Sequence, residues 1–123
     1  MQKLQFERAW DKTISKKDRL ALEQLFQETV EQRENSIDCH VYRRAINHKR
    51  EMLITVLIHN FSHQALVFNN YQVQCLFDGG QVMQNFTIPS LCIPVNTSIP
   101  WTFIFKDRSQ FINANLLKVK ICL

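Results

Sequence analysis

All three prolines of this 123-residue chain fall in one stretch, Ile88 to Lys106, and no other stretch limits the fold as strongly. A proline has no backbone N–H to give a ladder, so none of the three suits the middle of a central strand. Pro89 is expected to end one extended run, Pro94 to sit in a short connection, and Pro100 to open the next strand. That strand, Trp101-Thr102-Phe103-Ile104-Phe105, places three rings on one face because side chains alternate along a strand. Trp101, Phe103 and Phe105 are therefore expected to be buried against an opposing sheet, with Pro100 fixing where their strand begins.

The remaining chain supplies such a sheet. Ser15 to Asp18 has the spacing of a capping box, and Leu22, Leu25, Phe26, Thr29 and Val30 form one apolar stripe. The spacing predicts one helix from about Lys16 to Arg33, with Trp10 as an upstream anchor. After residue 36 the period changes from 3.6 to 2. Strands are expected over Cys39–Asn47, Glu51–His59, Gln64–Phe68, Tyr71–Phe77, Gln81–Ile88, Trp101–Phe105 and around Leu117–Ile121. The apolar run from Glu51 suits a central strand buried on both faces. Asn69-Asn70 reads as a turn, and Asp78-Gly79 as a hairpin turn. The expected fold is mainly β: an immunoglobulin-like antiparallel sandwich of about seven strands (37–123) with one amino-terminal helix (1–36) packed on it. A small closed barrel of the oligonucleotide-binding kind is the alternative.

Composition removes several functions. The two glycines are adjacent, so no glycine-rich phosphate loop exists. Cys39, Cys75, Cys92 and Cys122 form no C-x-x-C pair, so they are expected to be reduced, packed thiols. The amino terminus is polar and no apolar run reaches membrane-spanning length. Localisation in the cytoplasm, without a membrane span, is the expectation.

Catalytic and metal motifs are missing from the sequence. His59 and His63 stand four apart, but a turn is expected between them and H-E-x-x-H does not occur. These histidines read as surface or turn residues. Asp78 is the one Asp, Glu, Lys or Arg between Met52 and Phe105, which leaves little for paired-carboxylate chemistry. No enzyme activity, cofactor or metal is expected.

Charge distribution marks two surfaces instead. Residues 39–123 carry eight basic and three acidic groups, a net +5, and Arg43, Arg44, His48, Lys49 and Arg50 cluster. That cluster is a candidate footprint for nucleic acid or another anionic ligand. The Glu-rich helix and the want of a basic-aromatic motif weigh against nucleic acid. The second surface is the nearly charge-free middle, where Gln72 and Gln74 occupy outward positions of a strand. Depletion of charge marks interface cores, so this face is expected to bind a protein partner or a second copy of the chain.

His59-Asn60, Phe68, Leu76 to Gly79, Phe86-Thr87-Ile88, Leu91, Ile93-Pro94, Ser98 and Pro100 to Phe105 together resemble the SLAP domain. That domain belongs to the S-layer assembly protein of the accessory Sec system in Bacillus-type bacteria. The resemblance covers roughly residues 40–105. Cys92 stands where the pattern has Gly, and one copy of the domain is present where the assembly protein has two. The resemblance implies a non-enzymatic, cytoplasmic interaction module, accessory to secretion or assembly of cell-surface (S-layer) proteins. Its partner would be part of the secretion machinery or an exported surface protein.

Overall fold

The computed structural model describes the backbone of residues 1–31, 35–106 and 115–123, and the side chains of these except 115–118. The elements are β1 (Lys3–Leu4), α1 (Arg8–Thr13), α2 (Lys16–Thr29), β2 (Ile37–Ile46), β3 (Met52–Asn60), β4 (Leu66–Asp78), β5 (Gly80–Ile93), β6 (Thr97–Phe105) and β7 (Asn115–Cys122). Two sheets form, β1-β6-β3-β2 and β5-β4-β7. All strand pairs are antiparallel except β1–β6. The chain is thus the expected β-sandwich. By order and connection, β2, β3 and β6 hold the A, B and E places of an immunoglobulin-like sandwich, and β5, β4 and β7 the C′, C and F places. No strand holds the G place beside F among the described residues, and β1 lies where D would pair with E.

β3 is central because both its faces are apolar. Met52, Ile54, Val56 and Ile58 point into the sandwich, while Leu57 is buried under the helices together with Leu22 and Phe26. Ser15 caps α2 by accepting from the Asp18 N–H at 3.0 Å, as its spacing suggested. Beside β3 in the same sheet, Phe103 of β6 sits 5.0 Å from Phe86 and 5.8 Å from Phe68 of the opposing sheet, centroid to centroid, and Phe86 meets Phe105 at 5.5 Å. These edge-on and tilted pairings form the centre of the core.

Several sequence expectations need correction. There are two helices, because Glu7 caps a separate turn of helix with its side chain on the Ala9 N–H. Trp101 is only half buried: among the described residues β6 has no strand beyond it at this point, and the ring stacks on Trp10 of α1, centroids 6.2 Å apart. Asn69-Asn70 does not separate two strands. β4 runs through it, taking up one extra residue as a bulge, with Asn70 at φ +52 and its N–H on Thr87 Oγ1. Likewise β5 continues past Pro89 to Ile93, which is allowed because β5 is an edge strand. Pro100 lies inside β6 rather than at its start. The Asp78-Gly79 turn forms as expected, with Gly79 at φ +103. The expected loop before the last strand falls mostly on residues 107–114, outside the described residues.

Candidate functional site

The two sheets differ in what lies over their outer faces. On β1-β6-β3-β2, the outward residues Thr55, Leu57 and His59 meet α1 and α2, and Thr55 and Thr102 share a hydrogen bond of 2.8 Å. Among the described residues no helix lies outside β5-β4-β7. Gln72, Gln74 and Leu76 of β4 stand beside Asn85, Met83 and Gln81 of β5. Gln72 is exposed, Gln74 is half-exposed, and Met83 retains 52% of its surface. The amides partner one another: Gln74 Nε2 donates to Gln81 Oε1 at 2.5 Å, and Asn85 Nδ2 to Asn70 Oδ1 at 3.1 Å. Two extended strands thus present an uncharged, partly apolar surface, bordered beside Leu76 by the exposed Lys120 of β7. The helices cannot explain its lack of charge, because they lie across the other sheet.

The basic cluster divides. Tyr42 and Arg43 straddle a bulge in β2, and both reach the Asp18 carboxylate: the Tyr42 hydroxyl at 3.0 Å and Arg43 Nη2 at 2.5 Å. Arg43 and then Tyr42 hold that carboxyl below its usual range. Arg43 is therefore part of how α2 docks. Arg44 and Arg50 are exposed and form no ion pair among the described residues. Arg50 sits at φ +59 in the β2–β3 turn.

His59 is neither a surface nor a turn residue, which corrects the sequence reading. It closes β3, is fully buried, and stacks on Phe61 with ring centroids 5.3 Å apart. Nδ1 is 2.6 Å from Ser98 Oγ and Nε2 is 2.8 Å from Thr29 Oγ1. Burial, and secondarily His40 beside it, lower its pKa to about 4, against an opposing pull from Asp38. Next to it, buried Asn60 donates from Nδ2 to Gln64 O and Ile93 O, both at 2.9 Å, and accepts from the Ser62 N–H and hydroxyl. Ser98 also accepts from Gln2 Nε2 at 3.0 Å. His59, Asn60 and Ser98 therefore tie the amino-terminal segment, α2 and the β3–β4 corner into one knot. A polar pair ending an apolar strand run was the signal in the sequence. Among the described residues no three His, Cys, Asp or Glu side chains gather as metal ligands would, and no helix is long and apolar enough to cross a membrane.

Together these features define an immunoglobulin-like sandwich with one sheet covered by helices and the other left open. The family model described as the SLAP domain matches residues 4–120, and the chain belongs to that family. The match extends beyond the stretch that carried the resemblance and takes in the helices. No curated protein and no solved structure matches the chain.

Proposed function

We propose that this chain is a non-enzymatic protein-interaction module that binds through the uncharged outer face of β4 and β5, in the cytoplasm, in support of secretion or assembly of cell-surface proteins. The observation that carries the reading is the contrast between the sheets. One outer face is sealed by α1 and α2, whereas the other exposes Gln72, Gln74, Gln81, Met83 and Asn85 without a charge among them. Exposed sheets ordinarily carry Lys and Glu, which guard against unwanted pairing. A face without them gains most from being covered by a partner, since interface centres are depleted of charge. Membership of the SLAP domain family supports the direction toward secretion, and a component of that machinery or an exported surface protein is the partner. A second copy of the chain is the competing occupant of this face.

Affinity capture with the wild-type chain, repeated after nuclease treatment and with Gln74→Lys and Met83→Lys, tests the reading. Both variants should keep the wild-type melting temperature and lose the captured protein, and nuclease should change nothing. Capture that persists in both variants sinks the face as the interface. Capture abolished by nuclease favours the anionic-ligand reading through Arg44 and Arg50 instead.

A further inference from the structure

β5 ends the second sheet, and among the described residues no strand pairs with its outer edge. The Asp78-Gly79 turn decides which of its backbone groups face outward. A two-residue loop is closed by a hydrogen-bonded pair, here Phe77–Gly80. Bonded and non-bonded pairs alternate from there, so Val82, Gln84 and Phe86 bond to Cys75, Val73 and Tyr71. Gln81, Met83 and Asn85 therefore turn their N–H and C=O groups away from β4. No hydrogen bond among the described residues takes up those backbone groups.

Nothing in the sequence of this edge blunts it. Residues 80–93 include no Asp, Glu, Lys or Arg, and their one proline, Pro89, lies beyond Asn85. The ladder to β4 is regular from Gly80 to Phe86. Met83 retains 52% of its surface, with exposed Gln81 and Asn85 on either side. Such an edge complements itself. Two copies of one strand about a two-fold axis run antiparallel and present the same patch to each other. With the axis at Met83, each Met83 lies opposite the other, and Gln81 of one copy lies opposite Asn85 of the second. Every outward N–H of these residues then meets a C=O, thioether meets thioether, and amide meets amide. No like charges are brought together. A charged segment, by contrast, would find no counter-charge along β5.

We propose that the chain forms a two-fold dimer in which β5 pairs antiparallel with β5 of a second copy about Met83, so that the two β5-β4-β7 sheets become one continuous sheet. Pairing of this kind draws its affinity from main-chain bonds. A short edge makes a small interface, so association belongs between about 1 μM and 1 mM. The outer faces of β4 and β5 in the two copies then adjoin, which extends the uncharged surface without covering it. The dimer uses the strand edge and does not depend on what that face binds.

Sedimentation equilibrium of the wild-type chain from about 1 μM to 1 mM should show the mass doubling with concentration and then stopping, because a two-fold pairing closes on itself. Dimerisation should slow amide exchange at Gln81, Met83 and Asn85. Met83→Lys and Met83→Glu each place like charges on the axis, and each should stay monomeric over that range at the wild-type melting temperature. Mixed together, the two variants should form a heterodimer, since their charges are then opposite. Gln74→Lys lies on the face and not on the edge, so it should dimerise normally while it loses the captured partner, which lets the two readings fail separately. A wild-type chain that stays monomeric over the whole range would overturn the proposal. So would a dimer that both charged variants keep, a mixture that does not associate, or exchange slowed only at other amides.

Discussion

His59 Nδ1 and Ser98 Oγ lie 2.6 Å apart in a chain of hydrogen bonds whose direction is fixed from both ends. Thr29 gives its hydroxyl proton to Leu25 O at 2.7 Å, so at His59 it must accept, and Nε2 carries the ring proton. Nδ1 then accepts from Ser98, whose oxygen in turn accepts from Gln2 Nε2. The neutral Nε2–H tautomer is assigned by the network rather than by the ring. A second proton would have to enter at Nδ1, where a hydroxyl hydrogen already points.

This arrangement predicts acid sensitivity. An unfolded histidine titrates near 6.5, the folded one at about 4. Above the first value both states are neutral and the contribution is complete. As pH falls between the two, the unfolded state takes up a proton that the folded state refuses, and stability drops by about 3 kcal/mol in all. His59→Gln can offer an amide donor to Thr29 and an acceptor to Ser98 but cannot titrate. Urea unfolding at pH 7.5, 5.5 and 4.0 should show the wild type losing about 3 kcal/mol more than the variant. Parallel losses in the two proteins would remove His59 from the account.

The aromatic strand yields a ranking among three residues that its sequence treats alike. Phe103 is fully buried between Phe68 and Phe86, whereas Trp101 is half exposed and rests on Trp10. Phe103→Ala should cost ~3 to 5 kcal/mol and leave little folded protein. Trp101→Ala should fold and lose about 2 kcal/mol, since it forfeits a stacking contact and only part of its burial. Chemical denaturation of the two variants decides the order. An unfolded Trp101→Ala beside a stable Phe103→Ala would show the strand to be rotated.

That difference illustrates what was legible in the chain. Local signals placed β3, the second half of β6 and the Asp78-Gly79 turn correctly, because each depends on period-2 alternation or on glycine's freedom at positive φ. Whether Trp101 is fully inside depends on its place at the sheet's edge, past the β1 pairing and beside Trp10, and alternation carries no such information. His59 was misread for a similar reason. A histidine ending an apolar run resembles the start of a loop until Thr29, 30 residues earlier, is known to pack over it. The uncharged face of β4–β5 was visible as a want of charge. The split of the basic cluster was not, because Asp18 reaches Arg43 across 25 residues and a bulge.

The cysteines should react in a fixed order. Cys92 is exposed on β5, Cys75 is buried with its thiol pushed up to about 11, and Cys39 is raised further still, mainly by burial and then by Cys122 nearby. Only the thiolate attacks a disulfide reagent. In the folded protein at pH 8, Cys92 should be labelled first and Cys39 and Cys75 only on unfolding, as peptide mapping after timed labelling would show. Prompt labelling of Cys75 would contradict the packing of β4.

The last prediction concerns the β6 edge of the first sheet. β1 pairs with β6 only at Thr97 and Ser98, and among the described residues no strand covers the rest of that edge. Alternation from the Gln5 N–H on Ser98 O places the outward groups on the even-numbered residues. Pro100 has no N–H to offer there, a common way of blunting an edge. Further along, Gln84 reaches across from β5: its Nε2 donates to Ile104 O at 2.9 Å, and its Oε1 accepts the Lys106 N–H at 3.0 Å. One primary amide thus stands in for a neighbouring strand and closes the sandwich on this side. Gln84→Val keeps the volume roughly constant and removes both bonds. Water can replace part of the loss at this exposed site, so the direct cost should be only about 1 kcal/mol. The larger effect should be on association, because a freed strand edge is a template for pairing. Hydrogen exchange at Lys106 should accelerate, and sedimentation should show concentration-dependent oligomers that the wild type does not form at the same edge. A Gln84→Val protein with unchanged exchange at Lys106 would mean that the amide is not what guards β6.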